Sequence, residues 1–321
     1  MPELRKDPIA GRWVVIATER VRRPTDFSVP HGPRSDGSCL LCGGREVETP
    51  PELLAYRDSP AAPPNSPGWR VRVVPNKFPA LRVEGALDRR GQGLYDLMNG
   101  VGADEVLVES PDHDAKLADL APAAVEDVVR AFRDRLVELK RDPRFRAALL
   151  FKRHAVDAPG RLGHPHARLL ATPIVPREVL EELDHACAYY DYRERCLFCD
   201  ILRQELEERS RLVVESEHML ALAPFAARFP FETWLFPRRH AAGFEHAAEP
   251  EQRDLAGVLR TVLRRLDRAI GNPSFTLVLH GAPFQEAESL LLHADPAWSH
   301  GLPVNAVPPE DAARFLRDTP E

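Results

Sequence analysis

Apolar residues along this chain fall into two long stretches of helical period set among many short extended ones. From Pro122 to Lys140, Val125, Val128, Val129, Phe132, Leu136 and Leu139 recur at steps of three and four, and proline suits the first turn, so the spacing predicts an amphipathic helix. From Pro250 to Ile270 the pattern returns, with Leu255, Val258, Leu259, Val262, Leu263 and Leu266 on one face. A further helix is expected to open at Pro176 and the Glu-rich run to Leu183, and a terminal one from Pro308 to Leu316. Extended runs predict strands at Trp13–Ala17, Trp69–Val74, Glu105–Glu109, Ala147–His154 and Leu169–Val175. A second series follows at Leu212–Val214, Met219–Ala223, Glu232–Phe236, Phe275–His280 and Ser289–His293.

Strands, one long helix and two more strands thus occur twice in the same order. This predicts an α+β protein built of two copies of one unit, each an antiparallel sheet with a packed helix, divided as residues 1–185 and 186–321 and joined near Ala186 to Arg195. A chain of 321 residues has room for about two domains with real cores. Its 31 prolines, clustered at Pro50-Pro51, Pro60 to Pro67 and Pro308-Pro309, imply stiffened connections between short strands.

Composition narrows the function classes. With 44% apolar and 29% charged residues the chain reads as globular, and its apolar runs fall far short of the ~20 residues that span a bilayer. The segment Met1 to Asp7 has no apolar signal core, so a cytoplasmic protein is expected. A net charge of −6 argues against a grip on long nucleic acid but leaves a small phosphorylated substrate open.

Four of the five cysteines form two Cys-x-x-Cys pairs, Cys39/Cys42 and Cys196/Cys199, which in a chain without an export signal read as metal ligands or redox dithiols; Cys187 is expected to be a small buried residue. Each pair is followed by a His at a strand end and another in a later strand. Cys42 precedes His113 by 71 residues and His113 precedes His164 by 51; Cys199 precedes His240 by 41 and His240 precedes His293 by 53. Cys39, Cys42, His113 and His164, and likewise Cys196, Cys199, His240 and His293, suit tetrahedral zinc with no open position, hence two zinc ions per chain. Closed coordination activates no water, so the chemistry belongs beside the metal. Two residues beyond His164 is His166, whose neutral imidazole is a good nucleophile toward phosphorus; two beyond His293 is Asp295, which would form a mixed anhydride easily lost to water. Only the first copy is equipped.

His164-Pro165-His166, Cys39-x-x-Cys42 and Ser110-Pro111-Asp112-His113 together resemble the galactose-1-phosphate uridylyltransferase family of the histidine triad superfamily. Further similarity runs through Asp7 to Val14, Asn76 to Leu81, Phe229 to Thr233 and His280 to Pro283. The resemblance implies two tandem histidine-triad-like domains, each with a zinc site, in a homodimer. It also implies a two-step exchange in which His166 attacks the α-phosphorus of UDP-glucose, releases glucose 1-phosphate and passes UMP to galactose 1-phosphate. Arg20, Arg23 and Asn76 resemble the family's phosphate and nucleotide contacts.

Departures from the family pattern bear on its details. Arg168 stands two residues past the nucleophile where the family usually has Gln, Arg153 stands in place of Asn, and Ala158-Pro159-Gly160-Arg161 replaces a Gly-Ala-Ser-like loop. A guanidinium at 168 is expected to hold a nucleotidyl-histidine tightly and slow its release, so that Arg168→Gln would speed the second half-reaction. Some members hold iron through positions that map to Glu182, His280, His293 and Asp295; the intact Cys196/Cys199 pair favours zinc here, with Glu182 a solvated helix residue. Three readings follow: uridylyl exchange on a sugar 1-phosphate; a related enzyme using another nucleotide or inorganic phosphate, such as an ADP-glucose phosphorylase; and a zinc-stabilised nucleotide-binding protein without turnover.

Overall fold

The computed structural model describes residues 3–9, 13–16, 39–154, 163–284, 291–293, 304–305 and 307–320, with backbone alone at 3–6, 13–16, 92, 291–293 and 304–305. In chain order the strands of the first half are β1 (Glu3–Lys6), β2 (Trp13–Ile16), β3 (Leu54–Arg57), β4 (Trp69–Pro75), β5 (Arg90–Gln92), β6 (Tyr95–Leu97), β7 (Ala103–Val108), β8 (Ala147–His154) and β9 (His166–Thr172). Those of the second are β10 (Leu212–Glu215), β11 (Met219–Leu222), β12 (Trp234–Pro237), β13 (Phe275–His280), β14 (Leu291–His293) and β15 (Val304–Asn305). The helices are α1 (Pro122–Leu139), α2 (Arg177–Arg193), α3 (Leu197–Glu208), α4 (Glu249–Ile270) and α5 (Pro309–Asp318).

Ten strands form one sheet in the order β10-β11-β12-β14-β13-β8-β9-β7-β4-β3. Read outward from its centre, each half runs through the same sequence of strands: β8, β9, β7, β4, β3 on one side and β13, β14, β12, β11, β10 on the other. The long helix lies between the corresponding strands in both, α1 between β7 and β8 and α4 between β12 and β13. The repeat expected from sequence is therefore present as topology, and the halves meet where β8 and β13 pair antiparallel, Phe151 opposite Val278 and Arg153 opposite Thr276.

One face of this sheet takes the helices. Val71, Val73, Leu107, Leu150, Ala167, Leu169, Leu277 and Leu279 are buried with Val125, Val128, Phe132 and Leu136 of α1 and Leu255, Leu259, Val262 and Leu263 of α4. Side chains alternate across a strand, so His166, Arg168 and Leu170 of β9 project to the opposite face. There Val74, Val106 and Val108 are covered by Cys39, Leu41 and Trp69. Ile9 packs among Leu197, Phe198, Leu220 and Trp234 of the later half.

Several local expectations need correction. The strand expected at Leu169–Val175 is β9, displaced toward the N-terminus: His166 already pairs with Val108, and Pro173, lacking an N–H, follows its last residue. The helix expected to open at Pro176 runs as α2 to Arg193, so the joint expected near Ala186 is largely helical; it ends at Glu194 in the left-handed region with φ 54°. No residue of α2 is buried, and Cys187 on it is exposed rather than buried. Helix α3, whose N-cap is Cys196, was not anticipated. No helix among the described residues is long and apolar enough to cross a membrane.

Candidate active site and metal centres

The first Cys pair sits in a tight turn, Cys42 N–H donating to the Cys39 carbonyl at 3.3 Å, that is laid against the turn after β7 by Gly43 N–H donating to the Pro111 carbonyl at 3.0 Å. A Cβ at Gly43 would stand 3.0 Å from Pro111 Cβ, a contact the two turns would have to relieve by a few tenths of an ångström. Cys39, Cys42, His113 and His164 converge, with one ligand atom from each lying within 4.8 Å of the others. Cys42 Sγ is 3.6 Å from Nδ1 of His113 and 3.6 Å from Nδ1 of His164. A tetrahedron with ordinary zinc–sulfur and zinc–nitrogen bonds has an S···N edge of about 3.6 Å. The donor set therefore fits a metal ion. Nε2–H of His164 donates to the Ser110 carbonyl at 2.7 Å, fixing the tautomer that turns Nδ1 toward the cluster. Burial holds the His164 pKa down to about 4, so the imidazole is neutral and free to ligate. Burial and the adjacent Cys39 push the Cys42 thiol up, and a bound cation is what would bring it to thiolate.

In the second half Cys196, Cys199 and His240 converge in the same way, Cys199 Sγ lying 3.3 Å from His240 Nδ1. Here the pair spans the first turn of α3 rather than a free turn, and burial and Cys196 push the Cys199 thiol up to about 11. The backbone of His293 is in β14, opposite Trp234 and Val278; its side chain lies outside the described residues, as do Arg20, Arg23, Asp295 and Ala158 to Arg161. Glu182 is not solvated as expected. Its carboxylate is 3.3 Å from His280 Nδ1, both side chains are largely buried, and the contact ties α2 to β13.

His166 starts β9 immediately beyond the first cluster. Its Nδ1 is 2.7 Å from the His164 carbonyl, an acceptor only, so Nδ1 carries the proton and Nε2 keeps its lone pair. Burial is the main cause of a lowered pKa, opposed by that hydrogen bond and reinforced by Lys152 and Arg168, and the ring is held neutral. Behind it, on the helix-covered face, Lys152 Nζ donates to Glu109 Oε2 at 2.7 Å in a pair with side chains 5% and 0% exposed.

Around His166 the exposed sheet face carries Arg168, Phe151 and Arg153; Asn76 lies farther along it, bonded to Asp104. The guanidinium carbons of Arg153 and Arg168 lie 5.7 and 5.9 Å from the centre of the same Phe151 ring. Arg168 does not present an unopposed charge as expected: its Nη2 donates to both oxygens of Asp104 at 2.8 Å. Asp104 and Phe151 were missed in the sequence, where a lone acid or aromatic in a strand carries no signal of its neighbour across the ladder. A neutral nucleophile with a fixed proton beside two cations is an arrangement that can attack and hold a phosphoryl group.

Comparison with known proteins places this geometry in context. A model of the galactose-1-phosphate uridyl transferase N-terminal domain matches residues 1–176, and one of the C-terminal domain matches residues 182–301. An ADP-glucose phosphorylase of Arabidopsis thaliana is 32% identical over 99% of this chain and 93% of its own. A galactose-1-phosphate uridylyltransferase of Thermotoga maritima is 26% identical over 99% of both. The crystal structure of an Arabidopsis thaliana ADP-glucose phosphorylase with bound ADP-glucose superposes over 100% of both chains with a TM-score of 0.82 at 29% identity.

Proposed function

Because the chain belongs to the galactose-1-phosphate uridylyltransferase family, we propose that it transfers a nucleotidyl group from a nucleotide sugar through a covalent adduct on His166. The observation that carries this reading is the 2.7 Å contact of His166 Nδ1 with the His164 carbonyl. With that proton fixed, the Nε2 lone pair attacks the α-phosphorus; the N–P bond forms as the bond to the sugar phosphate oxygen breaks. The sugar 1-phosphate leaves as an anion and needs no proton. The positive charge developing on the ring is shared with the His164 carbonyl through Nδ1–H. An anionic acceptor oxygen then attacks phosphorus from the opposite side, and the imidazole returns neutral.

Arg168, Arg153 and Asn76 face this site and would meet the phosphates and the nucleoside, with Arg20 and Arg23 as further contacts by resemblance. Zinc in the Cys39/Cys42/His113/His164 set, and in Cys196/Cys199/His240 with His293, would fix the turns on which the site is built. We take ADP-glucose with inorganic phosphate as the first substrate pair, on the strength of the Arabidopsis relative; the uridylyl family models and the Thermotoga relative support UDP-glucose with galactose 1-phosphate as the second. A cytoplasmic homodimer fits the family, and α2, exposing Leu180, Tyr190 and Tyr192, offers apolar surface for a second copy.

The test is to incubate the protein with ADP-glucose or UDP-glucose without acceptor and measure protein-bound nucleotide by intact mass. One nucleotide sugar should leave a nucleotidyl adduct that maps to His166, is discharged by its acceptor, and is lost in His166→Gly. Turnover without an adduct, or labelling retained in His166→Gly, refutes the reading.

A further inference from the structure

The geometry points to Asp104 as a positioning residue that places the Arg168 guanidinium and tempers its charge, so that the phosphoryl group on His166 is held but not trapped. This deepens the proposed nucleotidyl transfer and rests on it. Asp104 lies on β7, with Leu170 its cross-strand partner on β9; Arg168 is the diagonal neighbour on the same face, one pleat nearer the nucleophile. The Asp104 side chain is 0% exposed while that of Arg168 is 35% exposed, so the pair has a buried anionic end and an accessible cationic one. Among the described residues Arg168 Nη2 alone has an acceptor, and Nε is buried without one. Nη1, neither bonded among the described residues nor buried, is the arm left for a ligand.

The same carboxylate organises the segment after β4. Asp104 Oδ2 accepts from Asn76 Nδ2 at 3.1 Å and from Ala80 N–H at 2.9 Å, and the Asp104 carbonyl accepts from Asn76 N–H at 2.8 Å. Asn76 Oδ1 in turn accepts from Phe78 N–H at 3.1 Å. One buried anion therefore fixes both Arg168, next to His166 on this face, and the Asn76 to Ala80 turn farther along it. An unopposed guanidinium would bind the negative oxygens of the nucleotidyl adduct with charge-assisted hydrogen bonds and deepen the intermediate relative to the transition state that follows. A guanidinium sharing a full negative charge binds them less strongly while keeping its geometry. Conversely, a buried carboxylate without its cation would repel the incoming phosphate.

Two matched substitutions test this. Asp104→Asn keeps one oxygen for Asn76, Ala80 and Arg168, and removes the charge together with the second acceptor that Arg168 uses. Using ADP-glucose or UDP-glucose, whichever labels the unaltered protein, rapid quench should show adduct formation nearly unchanged and discharge by the acceptor slowed about tenfold. Arg168→Gln alone should slow formation about tenfold, because the carboxylate is left unpaired. The double variant Asp104→Asn/Arg168→Gln should be faster than Asp104→Asn in discharge and faster than Arg168→Gln in formation. Equal slowing of both steps by Asp104→Asn, or a double variant no better than its parents, overturns the inference and makes Asp104 a purely structural residue. If Asp104→Asn fails to fold, the comparison of Arg168→Gln with the double variant decides in the same way. Failure of the unaltered protein to form any adduct overturns the nucleotidyl-histidine reading itself, and this inference with it.

Discussion

Removing the Lys152 ammonium should destabilise the fold sharply, and removing Glu109 with it should restore much of the loss. Lys152 Nζ is 2.7 Å from Glu109 Oε2, the two side chains are 5% and 0% exposed, and Glu109 Oε1 has no other partner among the described residues. In Lys152→Met a buried carboxylate remains with neither oxygen bonded among the described residues. Breaking a buried pair in this way costs about 3–5 kcal/mol, whereas replacing both partners by apolar groups of similar volume is often neutral or better. For a chain of 321 residues the unfolding entropy makes that a fall in melting temperature of about 4–7 °C. Differential scanning calorimetry on the parent, Lys152→Met, Glu109→Leu and the double variant measures the cycle. A melting temperature lowered by less than ~1 °C in Lys152→Met, or a double variant as unstable as the sum of the two singles, refutes the reasoning.

Elemental analysis should find two equivalents of zinc per chain, falling to about one in Cys199→Ala with His166 labelling retained, because the two clusters lie in separate halves; loss of both metals from this single change would mean that the sites do not fill independently. Phe151→Leu should raise the KM for the nucleotide sugar about 5- to 30-fold with a smaller change in kcat, since each of the two guanidiniums loses an aromatic face worth about 0.5–1 kcal/mol. A fall in kcat at unchanged KM would instead place the ring in the chemical step.

The convergence of Cys39, Cys42, His113 and His164, and of Cys196, Cys199 and His240, was legible in the sequence because spacing announces it: Cys-x-x-Cys fixes two candidate ligands locally, and only Pro165 separates His166 from His164. The helices α1 and α4 were legible because a helix buries a stripe whose period is written in the chain. What could not be read are contacts made across strands. Asp104 and Arg168 are 64 residues apart and meet only because β7 and β9 pair in one register, which hydrophobic alternation does not specify to the residue. Helix α3 was obscured because its first turn, Cys196 to Cys199, reads as a metal knuckle before it reads as the start of an apolar stripe. Cys187 was misread because burial was assigned from residue type, while α2 lies on the surface.

The pairing of β8 with β13 also bears on why two copies of one unit are fused when the second has Asp295 at the place of His166. Phe151 and Arg153, which stand beside His166, face the same side of the sheet as their partners Val278 and Thr276 on β13. A first half standing alone would present β8 as an open edge, with its backbone groups unpaired and Phe151 and Arg153 at the rim. With β13 in place the edge is closed, and the catalytic face continues into the second half as far as His280, where Glu182 of α2 meets it. The helix that joins the copies is thereby anchored on the face that carries the site rather than on the one that carries the core. The second half thus closes the sheet beside Phe151 and Arg153, and carries its own Cys196/Cys199/His240 cluster. Its strand β14 can carry Asp295 just beyond it in place of a second nucleophile because the pairing with β13, not a second chemical centre, is what the first half requires of it.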